Sequence, residues 1–258
     1  TMKKMLQILV VVMALTMLAA PALAEQPTAT AYKATEPIVI DGNLEDWNTS
    51  SPIVINTEEQ VIRDVSFWQG ENDLSATVYV MWDEENLYLA ADVNEDSPYG
   101  AIEMLPLDGE DNFKVYISTD PAADPARTSY GTNDFLLYLI VDNNYWDTAF
   151  DRSMVEKDLL ERFTTKGMDG GEDVLTGYEK ATVLTTTGFI YEAVIPWSNF
   201  SNSRIPVYTP AAGDTVNFDF AITDISCPGT EYIPQMAWTG TLDINTNPSL
   251  WGRLTFAE

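Results

Sequence analysis

The feature that most constrains this chain is a pair of alternating apolar runs within residues 76–96. Alternate positions are apolar in both runs: Val78, Val80 and Trp82 in the first, and Leu87, Leu89, Ala91 and Val93 in the second. A period of two places these side chains on one face, which is typical of half-buried antiparallel strands. The acidic tetrapeptide at 83–86 separates the runs. The pattern therefore predicts a β-hairpin and, with it, a rigid β scaffold.

The second run leads into a cluster of oxygen-bearing side chains. Asp92, Asn94 and Asp96 stand at positions one, three and five, and Glu103 stands at position twelve. This is the ligand spacing of a calcium loop, although Ser97 replaces the glycine of an EF-hand and a strand precedes the loop. The spacing predicts a structural calcium site on these four residues, with contributions from 41–43 and 108–111 left open.

Further strand patterns follow, with Gly and Pro between them. They lie at 113–117, 135–141, 190–195, 216–222 and 254–256. This spacing predicts an all-β fold, an antiparallel β-sandwich of jelly-roll type. One segment departs from it, because Ser153 and Glu156 form a capping box before apolar residues at helical spacing. A short helix is predicted at 153–166.

The N-terminus predicts secretion. Two lysines precede an apolar stretch that ends in Ala22-Leu23-Ala24, the pattern of a secretory signal cleaved before Glu25. A retained membrane anchor is the alternative, but the stretch falls short of the roughly 20 residues that a span needs. We expect a signal peptide at 1–24, an exposed leader at 25–33 and one domain at 34–258, located outside the cell, at its surface or in the periplasm.

Charge and absent residue types exclude several functions. The chain has 40 acidic and 13 basic residues and a net charge of −27, so its surface would repel nucleic acid and anionic lipid and attract divalent cations. It contains no histidine, which excludes Ser-His-Asp catalysis and sites that need a histidine ligand. Cys227 is the single cysteine, so it forms no disulfide within the chain and is expected to be an ordinary semi-buried thiol.

Five fragments resemble family 9 carbohydrate-binding modules, in the order seen in that family. They are Ile40-Asp41-Gly42 with Trp47, Trp82-Asp83 with Leu87-Tyr88-Leu89, the strand at 111–117, the strand at 191–197, and Trp238 with Trp251-Gly252-Arg253-Leu254. The resemblance implies a β-sandwich that binds sugar, often with structural calcium and often attached to a secreted glycoside hydrolase. It implies a binding module rather than an enzyme.

The sugar site departs from the family pattern. Family members hold a terminal sugar between two tryptophans, and here the corresponding regions, 105–108 and 245–248, contain none; Lys114 stands where an acidic residue is expected. Other aromatic residues would have to supply the platform on which a sugar ring packs. The leading candidates are Trp146 and Tyr145 with Asn143 and Asn144, and Trp68 comes second. We expect Trp47, Trp82, Trp197 and Trp251 to be packing residues instead.

Three other functions are left open. The first is a structural surface or filament protein that assembles through its sheet edges and calcium without recognising sugar. The second is a b-type haem module, with Met104 and Lys114, or Met168 and Lys166, as ligands. The third is a glycoside hydrolase, whose two carboxylates cannot be identified among so many. Our prediction is non-catalytic glycan binding, with self-assembly or a partner glycoside hydrolase as further associations.

Overall fold

The fold is built from β-strands and single turns of 3-10 helix. The computed structural model describes residues 26–96, 111–141, 162–165, 171–201, 205–225 and 233–258. The strands in these ranges are β1 Thr28–Lys33, β2 Ile53–Ile55, β3 Val61–Arg63, β4 Leu74–Trp82, β5 Asn86–Glu95, β6 Asn112–Ser118, β7 Asp134–Ile140, β8 Arg162–Thr165, β9 Gly171–Val174, β10 Glu179–Leu184, β11 Gly188–Pro196, β12 Thr215–Thr223, β13 Gln235–Ala237 and β14 Gly252–Ala257. The 3-10 turns are Leu44–Asp46, Glu58–Gln60, Val65–Phe67, Trp197–Phe200, Leu242–Asn245 and Pro248–Leu250. Nowhere in the ranges given does a helix have the length and apolar character needed to cross a membrane.

The strands form one hydrogen-bonded sheet that folds into two layers. The order is β10-β11-β5-β4-β1-β14-β12-β6-β7-β8-β9, with β2 also paired to β4, β13 to β12 and β3 to β13. We call the half from β10 to β4 the first layer and the half from β14 to β9 the second layer; β1 lies parallel to both β4 and β14 and joins them. The ring of Phe113 in β6 lies 4.7 Å from that of Tyr191 in β11. The layers therefore face each other across an aromatic core, which confirms the predicted β-sandwich.

The predicted hairpin is confirmed as β4 and β5. The strands are antiparallel and pair Trp82 with Leu87 next to the turn. The Asp83 carboxylate closes the turn, because its Oδ1 accepts the N–H groups of Glu85 at 2.7 Å and Asn86 at 2.6 Å. An aspartate that satisfies the backbone donors of its own turn explains why an acidic tetrapeptide connects these strands.

The prediction of an exposed leader at 25–33 is wrong for residues 28–33. They form β1, in which Ala29 and Ala31 are buried and pair with Leu254 and Phe256 of β14. Alternate small alanines let this strand lie between the two layers where the sheet crosses over. The segment 1–24, predicted as a signal peptide, precedes the described residues.

The predicted helix at 153–166 is wrong for Arg162–Thr165. These residues form β8, which pairs with β7 so that Tyr138 lies opposite Arg162. The segment also pairs with β9 on its other side, and pairing with strands on both sides outweighs the helical spacing of four apolar side chains. Residues 153–161 and 166 lie outside the described ranges.

A buried glutamate attaches the segment before β2 to the outer side of the first layer. Glu192 of β11 is fully buried, and its carboxylate accepts the N–H groups of Asp41 at 2.8 Å, Gly42 at 2.6 Å and the Trp47 indole at 2.7 Å. Gly42 has φ +83°, and a Cβ there would lie 2.2 Å from Val183 Cγ2. Only glycine fits this turn, because both its backbone angle and the nearby valine exclude a side chain.

Candidate metal centre and polar face

Three carboxylates from both layers meet at one end of the sandwich. Glu95 ends β5 in the first layer, while Asp111 precedes β6 and Asp224 follows β12 in the second. Because side chains alternate along a strand, all three share the inward side with Val93, Phe113 and Ile222. One carboxylate oxygen from each lies within 4.8 Å of the other two. We call this group the acidic centre.

The acidic centre is closed to water and strongly unfavourable as three free anions. Glu95, Asp111 and Asp224 are 2%, 1% and 0% exposed. Burial raises the pKa of Glu95 well above its usual range, and the charges of Asp111 and Asp224 raise it further. Oε1 of Glu95 is buried and accepts no hydrogen bond. Buried charges require compensation, and carboxylate oxygens are the ligands that calcium prefers, so this arrangement suits a divalent cation.

The acidic centre also fixes the ends of several second-layer strands. Oδ1 of Asp111 accepts the N–H of Ile225 at 2.7 Å, and its backbone carbonyl accepts the N–H of Val141 at 2.9 Å. The Asp224 N–H donates to the carbonyl of Pro234 at 3.0 Å. The beginning of β6, the end of β7 and the end of β12 are therefore held at the same place.

The outward side of these strands carries polar groups beside a tyrosine ring. Lys114 of β6 is 5% exposed, and its Nζ lies 5.1 Å from the ring centre of the half-buried Tyr138 on β7. Gln235 of β13 donates through Nε2 to Oγ1 of Thr223 on β12 at 2.8 Å, and Thr223 pairs with Asn112. We call these five residues the polar face. Two alanines, Ala221 and Ala237, lie beside Lys114 in the same row of the sheet. Lys114 and its partner Tyr138 are therefore the large side chains of this row.

An aromatic cluster covers the rest of this outer side. Tyr116 and Trp251 are fully buried, and the ring of the partly exposed Tyr130 lies edge-on to Trp251 at 5.2 Å. The Tyr116 hydroxyl donates to Oδ1 of Asn245 at 2.8 Å, which attaches the segment before β14 to the sheet. The polar face is thus bordered on one side by packed aromatic residues.

The structure separates the predicted calcium ligands from the acidic centre. Asp92 and Asn94 project from the face of β5 opposite to Glu95; Asp92 and Asp96 are exposed, and Asn94 Nδ2 donates to Ser75 Oγ at 3.2 Å. Glu103 lies outside the described part of the chain. The four-residue site therefore stays a prediction.

The predicted sugar-binding aromatics are described only in part. Trp68 is partly buried against the main core, and its Nε1 donates to the Leu74 carbonyl at 2.8 Å, so its N–H already has a partner within the protein. Asn143, Asn144, Tyr145 and Trp146 follow β7 in a range that is not described. The four tryptophans predicted as packing residues are buried, which confirms that part of the prediction: Trp47, Trp82, Trp197 and Trp251.

Sequence reasoning missed two residues of the acidic centre, Glu95 and Asp224. Asp111 stood in the group 108–111 that was left open, but Glu95 falls between the predicted ligands Asn94 and Asp96. One signal was available, because Glu95 and Asp224 each continue the inward phase of an apolar strand, where an acidic residue is unexpected. Asn94 and Asp96 have the opposite phase, so the same argument selects Glu95 as the inward acidic residue.

Comparison with known proteins identifies the family. The model of the "Carbohydrate family 9 binding domain-like" family matches residues 40–258. The chain belongs to this family. The match begins at the Ile40-Asp41-Gly42 segment held by Glu192 and includes both the acidic centre and the polar face.

Curated relatives of this family 9 chain are much longer proteins. It is 31% identical over 188 residues, 72% of its length, to an endo-1,4-beta-xylanase A of Thermoanaerobacterium saccharolyticum, and 28% identical over 188 residues to the exoglucanase XynX of Acetivibrio thermocellus. The matched regions are only 12% and 13% of those proteins.

Solved structures support the family 9 fold. A carbohydrate-binding module of family 9 from Caldicellulosiruptor kristjanssonii, in complex with cellotriose, aligns with a TM-score of 0.55 and 17% identity over 89% of this chain and 93% of that one. A putative carbohydrate-binding protein from Bacteroides uniformis aligns with a TM-score of 0.53 and 10% identity over 90% of this chain and 100% of that one. These similarities show the sandwich architecture.

Proposed function

We propose that this protein is a non-catalytic carbohydrate-binding module that recognises a glycan on the polar face. Membership of the family supports the class of ligand. The observation that carries the location is the Tyr138 ring beside the Lys114 ammonium, the Gln235 amide and the Thr223 hydroxyl. A sugar packs its C–H groups on an aromatic ring while its hydroxyl groups need polar partners. Here the partly exposed Tyr138 supplies the ring, and the polar groups lie beside it, where they are 0% to 5% exposed.

Tyr138→Ala tests this location. We expect the variant to lose retention on insoluble cellulose and xylan in a pull-down at fixed calcium, because the ring surface is removed. Tyr79→Ala is the matched control, since Tyr79 is also a half-buried tyrosine on an outer face, that of the first layer. If Tyr138→Ala is retained as well as Tyr79→Ala and the unmodified chain, and both variants keep their melting temperature, the polar face is not the site.

Other aromatic contacts belong to the same proposal. Trp146, Tyr145, Asn143 and Asn144 come a few residues after Tyr138 in the chain, and Trp68 is partly exposed. In the same pull-down, Trp146→Ala reports whether residues 143–146 extend the sugar contact made by Tyr138.

We also propose that the acidic centre holds a structural calcium ion. Its support is the combination of three buried carboxylates within 4.8 Å and a Glu95 oxygen that accepts no hydrogen bond. Glu95, Asp111 and Asp224 would supply oxygen ligands, and the ion would offset their mutual repulsion. It would join the first layer to the second rather than take part in a reaction.

Secretion and association with a glycoside hydrolase complete the proposal. The signal-like N-terminus supports export, and the relatives named as a xylanase and an exoglucanase support a role beside enzymes that degrade plant polysaccharides. In this role the module holds the polymer and makes no covalent bond with it.

A further inference from the structure

The acidic centre and the polar face lie on opposite sides of the same two strands. Along the start of β6, Asp111 points inward and Asn112 and Lys114 point outward; along the end of β12, Asp224 points inward and Thr223 outward. A residue of the centre is thus the direct chain neighbour of a residue of the face on each strand. Asn112 and Thr223 are moreover paired across the two strands.

Core packing connects the outward residues at these strand ends to the carboxylates on the inward side. Phe113 and Ile222, the next inward residues, are 0% and 1% exposed and pack in the core, so neither strand can rotate about its axis to move one side alone. Without a cation, repulsion between Glu95 on the first layer and the two aspartates on the second favours separation of the layers at this end. With a cation, the three carboxylates are drawn to a common point, and the outward residues are set at fixed spacing.

We propose that a divalent cation in the acidic centre and a sugar on the polar face bind with positive coupling, each increasing the affinity for the other. The inference rests on the proposed function, because it assigns the sugar to the polar face and the cation to the acidic centre. Thermodynamic linkage requires the same factor in both directions. A cation that only stabilises the sandwich, without setting the spacing of the polar face, would leave the affinity for sugar unchanged.

Isothermal titration calorimetry on the whole chain tests the coupling. Cellotriose is titrated with calcium present and with chelator, and calcium is titrated with and without saturating cellotriose. We expect calcium to strengthen cellotriose binding about fivefold or more, and cellotriose to strengthen calcium binding by the same factor. If both bind with affinities that do not depend on each other, the coupling is wrong while the proposed function stands. If cellotriose binds in neither condition, the proposed sugar recognition and the coupling are both contradicted.

A pair of variants in the first layer locates the coupling. Glu95→Gln keeps the shape of the side chain and removes its charge, so cellotriose binding should become independent of calcium in the micromolar range. Glu179→Gln makes the same change at an exposed position, at the start of β10, and should leave the coupling factor as in the unmodified chain. Persistence of the full calcium effect in Glu95→Gln would overturn the assignment to the acidic centre. Circular dichroism of both variants confirms that a loss of binding is not a loss of fold.

Discussion

At the scale of single residues, buried carboxylates in this protein fall into two kinds. Glu192 accepts three N–H groups, and Asp219 of β12 accepts the N–H of Phe220 at 2.8 Å and the hydroxyl of Thr239. Glu95 has an oxygen with no hydrogen bond and two carboxylates beside it. The first kind is stabilised by the protein's own dipoles, whereas the charge of the second has to be offset by a proton on Glu95 or by a cation, as proposed above.

Asp219 should make stability depend on pH near neutrality. Burial raises its pKa from 3.8 to about 7, against the opposing effect of its hydrogen bonds from Thr239, Phe220 and Gly252. Because the folded carboxyl keeps its proton at pH values where the unfolded one has lost it, its contribution to stability falls as the pH rises from about 4 to 7 and is constant above that. The free energy of unfolding from urea titrations, taken as wild type minus Asp219→Asn, should follow this course. A difference that rises over the same range would contradict the pKa shift.

At the scale of elements, β1 is the connection between the layers. It is parallel to both β4 and β14, and Ala31 within it is 0% exposed. Ala31→Asp would bury a charge between the layers and should lower the free energy of unfolding by about 3 kcal/mol or more.

Thr28→Asp provides the comparison for Ala31→Asp, because Thr28 is exposed at the start of the same strand. It should lower the free energy of unfolding by no more than about 0.5 kcal/mol. Thermal melts followed by circular dichroism distinguish the two variants. If both melt alike, β1 contributes little to the sandwich, and residues 28–33 act as a leader after all.

At the scale of the whole molecule, net charge and the acidic centre both oppose the folded state when no cation is bound. A charge of −27 opposes compaction, and the centre adds repulsion at the end of the sandwich. Calcium bound to the folded state alone should therefore stabilise it, by about 2.7 kcal/mol at 100 times its dissociation constant. For a domain of this size the melting temperature should rise by about 5 to 10 °C.

Differential scanning calorimetry with calcium, with magnesium at equal concentration and with chelator checks the stabilisation. Glu95→Gln should lose most of the calcium-specific increase, while Glu179→Gln should keep it. A similar increase with magnesium, or in Glu95→Gln, would instead indicate general screening of the acidic surface.

Local patterns determined the strands and their inward faces. The alternation at 78–82 and 87–93 and the Asp83 turn were sufficient to predict β4, β5 and their pairing, because a hairpin joins neighbours in the chain and its register follows from the turn. The family resemblance followed from five short fragments for the same reason, since each is a local sequence. Alternation failed at β1, whose alanines and threonines differ little in polarity. It failed at β8 because this strand of four residues is too short to show a period, and its pairing with β7 and β9 decides its conformation.

Tertiary structure alone decided which carboxylates meet. Asp92, Asn94 and Asp96 are close in the chain but alternate with Glu95 across the strand, whereas Glu95, Asp111 and Asp224 are far apart in the chain and come together only when the layers close. Composition could predict that an acidic chain attracts cations. Which carboxylates come together depends on the pairing of β6 with β12 and on the packing of β5 against these strands. Periodicity determines the side of a strand on which each residue lies; long-range pairing determines what it faces there.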